Sequence, residues 1–74
     1  MMDKGAFLVM LQDAFQRSEP LTMNMPLAEI PEWDSLTAML TLTLAKQRFS
    51  KNLKIADFKK NMLVEDLYAL LTRP

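Results

Sequence analysis

The chain has no cysteine and no histidine, and Gly5 is its only glycine. Each absence removes a class of chemistry. Without imidazole or thiol, neither a serine nucleophile activated by histidine nor a cysteine nucleophile can be assembled from the chain itself. Only carboxylates remain as metal ligands, and their spacing does not form a calcium loop, so no metal site is expected. One glycine cannot build a glycine-rich phosphate loop. No disulfide can form, which is compatible with a reducing, cytoplasmic setting. No apolar run is long enough to span a bilayer. The stretch Ala6 to Leu11 is apolar, but Gln12 and Asp13 follow at once, so it reads as the start of a helix rather than a signal peptide. A paired-carboxylate hydrolase needs two acids facing one cleft. Glu32 and Asp34 are close in sequence but are expected on the surface. No catalytic residue is assigned, and a non-enzymatic role is expected.

What is present suits one small globule. The chain has 74 residues, half of them apolar, and is expected to form a single domain over residues 1–74. A core of that size gives a stability of roughly 3–5 kcal/mol. Net charge is zero, but it is divided unevenly. Up to Asp34 there are six acids and two bases; from Ser35 onward there are three acids and seven bases, six of them between Lys46 and Lys60. Such a patch either attracts nucleic acid, an acidic membrane or an acidic partner protein, or is an ordinary solvated face.

Periodicity predicts an all-α fold. The first helix spans about Lys4 to Arg17, with Phe7, Leu8, Leu11, Ala14 and Phe15 on one side. Asp3 is its candidate N-cap, Arg17 suits its C-terminal dipole, and Glu19-Pro20 ends it. Ser18 to Asp34 is a long connection with three of the four prolines. Connections beyond about 12–15 residues are uncommon without a role. Leu21, Met23, Met25, Leu27, Ile30 and Trp33 should pack over the helices, with a short helical turn near Leu27 to Ile30. The second helix should begin at Asp34 or Ser35 and end near Phe49. It is apolar around much of its circumference, with Thr37, Thr41 and Arg48 as its most polar strip, so it is expected to be central. Leu53 and Ile55 alternate with Lys54 as an extended piece, and Asp57 can cap a short turn through Phe58 and Lys60. A last helix runs from about Val64 to Leu71, with Val64, Leu67, Tyr68 and Leu71 inward, before Pro74. The expected architecture is a small bundle of three main helices plus one short helix, with a long first loop.

One hydroxyl stands out. Ser35 lies where the long loop becomes the second helix. Serine there is commonly a cap, but Asp34 can take that duty and leave the hydroxyl turned outward. A phosphate ester at that position would be stabilised by the helix N-terminus. From about Ile30 to Leu71 the chain resembles the acyl carrier proteins. The likeness rests on Ile30-Pro31-Glu32-Trp33-Asp34-Ser35-Leu36, the helix ending at Phe49, then Leu53, Ile55, Asp57 and Phe58, and Leu63-Val64-Glu65-Asp66-Leu67 leading into Leu70-Leu71. The first helix and loop match the family more in architecture than in residues.

The resemblance implies that a phosphopantetheinyl transferase, with magnesium, attaches the 4'-phosphopantetheine arm of coenzyme A to Ser35. The arm ends in a thiol, so a chain without cysteine carries thioesters. Acyl groups then pass between acyl transferases, ketosynthases and related enzymes of fatty-acid-like, polyketide or other specialised lipid or secondary-metabolite biosynthesis. By the same resemblance, Asp34 assists the transferase near its metal and Leu36 docks in partner grooves. The protein is expected to be a monomer, with no nucleic-acid partner and no membrane span.

The chain departs from that pattern in its second helix. Fatty-acid carriers are typically rich in glutamate there, yet Ser35 to Phe49 contains no acid, and Lys46, Gln47 and Arg48 stand near its end. Charge complementarity governs on-rate and partner choice, so a specialised pathway is expected in place of the general fatty-acid synthase. Met23, Met25, Met39 and Met62 read either as an adjustable lining for an acyl chain or as gap fillers of a small core. Trp33 is expected to be a partly buried anchor just before Ser35. Two other functions stay open. An aminoacyl or peptidyl carrier usually approaches its serine through Gly-Gly or Gly-His in place of Glu32-Trp33-Asp34. A helical interaction module with no prosthetic group would use the basic second half for acidic partners or nucleic acid, but exposed aromatics interleaved with bases are missing.

Overall fold

A computed structural model of the chain describes residues 2–59 and 61–73. Lys60 and Pro74 lie outside the described residues. Three α-helices, α1 (Lys4–Ala14), α2 (Ser35–Phe49) and α3 (Val64–Thr72), alternate with two single 3-10 turns, Leu27–Glu29 and Ile55–Asp57. No strand occurs among the described residues. The molecule measures 28 × 25 × 19 Å.

Helix α1 begins as its sequence predicts, with the Asp3 carboxylate accepting from the Ala6 amide at 2.7 Å. It stops earlier than expected. Gln16 adopts φ 53°, its amide donates to the Asp13 carbonyl, and the Arg17 amide donates to the Gln12 carbonyl. This pair of bonds is the Schellman arrangement, closed here by glutamine in the left-handed region. Pro20 is therefore not the terminator, and Arg17 lies beyond the helix. Helix α2 ends similarly: Ser50 has φ 55°, and the Ala45 carbonyl accepts from the amides of both Ser50 and Lys51.

The core is built from Phe7, Leu11 and Phe15 of the first segment, Leu21, Leu27 and Ile30 of the connection, and Val64, Leu67 and Leu71 of α3. Of the five expected inward positions of the first segment, Phe7, Leu11 and Phe15 are buried and Leu8 and Ala14 are half-buried; of the four in α3, Val64, Leu67 and Leu71 are buried, and Tyr68 is half-buried and donates its hydroxyl to the Met2 carbonyl at 2.8 Å. The long connection is stitched to the start of α3. The Leu27 amide donates to the Met62 carbonyl at 2.9 Å, and the Val64 and Glu65 amides donate to the Met25 and Met23 carbonyls at 2.9 and 2.8 Å. Two of the free amides that any helix N-terminus presents are thus satisfied by loop backbone.

Helix α2 corrects the sequence expectation. It contacts α1, α3 and the second 3-10 turn, but it is not covered all round. The covered side is made of small residues, Ala38, Thr41 and Ala45. Thr41, expected on the polar strip, is fully buried and donates its hydroxyl to the Thr37 carbonyl at 2.8 Å. Leu36, Met39 and Leu40 face outward, at 75%, 59% and 38% exposure. Leu42, Leu44 and Phe49 flank that side half-buried, so the large apolar side chains of α2 left to solvent are Leu36, Met39 and Leu40. The segment after α2 also differs from expectation. Ile55 opens a 3-10 turn instead of extending a strand, and Asp57 closes it, its carboxylate accepting from the Lys54 amide at 2.8 Å.

Candidate functional site

The three residues singled out by sequence come together at the start of α2. Asp34 is the N-cap: its Oδ1 accepts from the Thr37 amide at 3.0 Å, while its own amide donates to the Thr37 hydroxyl at 2.8 Å. The Thr37 hydroxyl also lies 2.9 Å from the Glu32 carbonyl. This reciprocal cap holds the backbone from Glu32 to Thr37 in one conformation. Thr37 was not expected to have this role, although threonine three residues after an aspartate is a readable capping signal.

Because Asp34 and Thr37 complete the cap, Ser35 takes no part in it. Ser35 is exposed and occupies the first helical position. Leu36 follows, also exposed. The amides of Ser35 and Leu36 find no acceptor among the described residues, so the positive end of the helix dipole opens to solvent beside the hydroxyl. The second carboxylate oxygen of Asp34 takes no part in the cap either.

The approach to this site is pinned from two directions. Trp33 is half-buried, packed against Phe15 at 5.8 Å and edge-on to Phe58 at 5.5 Å between ring centroids. It joins the end of α1 to the second 3-10 turn, in keeping with the anchoring role expected of it. One residue earlier, the Glu32 carboxylate accepts from the Arg17 guanidinium at 2.7 Å. Arg17 is thereby diverted from the helix end to a tie between α1 and the Ser35 approach. The Arg17 hydrogen bond, aided by the Glu32 backbone amide and the guanidinium charge, holds the Glu32 carboxyl below its usual 4.5 against a smaller opposing effect of desolvation.

The methionines divide. Met23, Met25 and Met62 pack half-buried against the core, whereas Met39 stands on the outer face of α2 and does not line the interior. Among the described residues, no group of three histidine, cysteine or acidic side chains clusters as metal ligands do. No helix is long and apolar enough to cross a membrane among them. Comparisons of the chain with protein-family models, with curated proteins and with solved structures find no match in any of the three.

Proposed function

We propose that the protein is a non-catalytic acyl carrier of the phosphopantetheine type, with Ser35 as the attachment point. The observation that carries this reading is the division of labour at the start of α2. Asp34 and Thr37 make the cap, and the Ser35 hydroxyl is left exposed beside two open amides. A serine needed for capping would be held against the backbone; this one is free to be esterified.

The residues present fit the group. A phosphodiester at Ser35 Oγ would sit at the positive end of α2, where helix amides and dipole favour negative charge. Once attached, the arm supplies the thiol that holds acyl groups as thioesters, which the chain itself lacks. Asp34 keeps one carboxylate oxygen for the cap and offers the other toward a transferase and its magnesium. Leu36, Met39 and Leu40 present an apolar strip beside Ser35 for acyl transferases, ketosynthases or related enzymes. Trp33 and the Arg17–Glu32 pair fix the loop, so the serine is offered in one orientation. The acid-free α2 favours a specialised lipid, polyketide or secondary-metabolite pathway, in a cytoplasmic setting, over the general fatty-acid synthase.

Intact mass spectrometry tests this directly. After incubation with coenzyme A, magnesium and a broad-specificity phosphopantetheinyl transferase, the protein should gain the mass of one phosphopantetheine. Ser35→Ala, checked for folding by circular dichroism, should gain none. An unmodified wild type, or a modified Ser35→Ala, would overturn the assignment.

A further inference from the structure

The far end of α2 carries a second feature that the serine does not use. A groove of about 570 Å³ lies between the last turns of α2 and the segment that follows it. Leu42 and Leu53, both half-buried, supply its apolar side chains, and Lys46, Lys51 and Lys54 surround it, with Gln47 between. No acidic side chain lines it. None of the three lysines is in an ion pair among the described residues. Three full positive charges exceed the roughly half-unit negative charge of the α2 C-terminus, so the groove is electropositive over an apolar floor.

We propose that this groove docks an acidic amphipathic segment of a partner protein, one that places leucine-like side chains on Leu42 and Leu53 and carboxylates against Lys46, Lys51 and Lys54. The charge pattern selects the occupant: apolar contact supplies area, and the lysines select acidic partners and speed encounter. An anionic membrane fits less well. Membrane-seeking helices push large apolar side chains outward between their bases, whereas the leucines here are recessed and the bases rim a concavity. The inference goes beyond the carrier reading and stands on the groove alone, whether or not Ser35 is modified. The 1.5 Å rise per residue puts Lys46 about 16 Å along α2 from Ser35, far enough for a partner to hold this end while the other remains accessible.

The test uses the unmodified protein and a fluorescein-labelled helical peptide with leucine on one face and glutamate elsewhere. Anisotropy should show binding that weakens with salt, and amide shifts should concentrate at Leu42, Lys46, Leu53 and Lys54. The surface double variant Lys46→Glu, Lys54→Glu should weaken binding about tenfold or more, and Ser35→Ala should bind like wild type. The inference is overturned by equal binding of a peptide with lysine in place of glutamate, by shifts centred elsewhere, by an unaffected double variant, or by loss of binding in Ser35→Ala. It is overturned equally if phosphatidylglycerol vesicles, and not the peptide, perturb the groove. Failure of Ser35 modification would leave these readouts untouched, so the two proposals fail separately.

Discussion

Helices α2 and α3 begin in opposite ways. At the start of α3 the amides of Val64 and Glu65 are closed off by carbonyls of the long connection, and the Asp66 carboxylate takes the Leu63 amide at 2.9 Å. At the start of α2 the equivalent amides, of Ser35 and Leu36, are left to solvent, and the cap is made by side chains alone. The contrast continues along their lengths. α3 buries its large residues, Val64, Leu67 and Leu71, while α2 buries Ala38, Thr41 and Ala45 and exposes Leu36 and Met39. One helix is built to hold the fold together. The other meets the fold with its small side, with Leu42, Leu44 and Phe49 half-buried, and keeps Leu36, Met39 and Leu40 outside.

Substitutions can break or sharpen this contrast. The largest effect is expected from Leu67→Ala, which empties a fully buried site in α3. It should cost about 2–5 kcal/mol in urea denaturation, enough to unfold much of so small a protein. Ala45→Leu, which enlarges the small-residue side of α2, should cost about 1–3 kcal/mol by overpacking; a neutral result would mean that α2 does not pack closely. Leu36→Ala and Met39→Ala should each change stability by no more than about 0.5 kcal/mol, while slowing acyl transfer from a modified Ser35 by a partner enzyme. A large stability loss there would place those side chains inside.

The smallest effect concerns pH. The Glu32 carboxyl is held below its usual 4.5 in the folded state by Arg17. The pair therefore contributes its stability above that value and loses it as pH falls through the lowered folded-state pKa. The drop in Tm on acidification below about pH 4.5 should be shallower in Glu32→Gln than in wild type.

The sequence disclosed α3 and the core side of α1 because large apolar residues recur there at helical spacing against polar neighbours. The turn near Leu27 and the Asp3 cap were legible from local chemistry. Helix α2 was legible in its bounds but not in its orientation. Leucine and threonine alternate along it, so apolar residues fall on every side, and periodicity does not say that alanine and threonine face inward. The end of α1 is not legible in sequence because a left-handed glutamine carries no compositional mark, and Pro20 is a more visible stop. Ser35 and Asp34 could be placed from sequence because caps are local. The Arg17–Glu32 tie joins residues brought together by folding, and no spacing announces it; the cluster of bases from Lys46 onward was legible as a patch, but not the groove that Lys46, Lys51 and Lys54 surround.

Trp33 is the only tryptophan in the chain, and it is wedged between Phe15 and Phe58 two positions before the serine. The molecule therefore contains its own optical gauge. Indole emission responds to the packing of its surroundings, so any event that parts the end of α1 from the turn after α2 will register in the fluorescence of one residue, without a label.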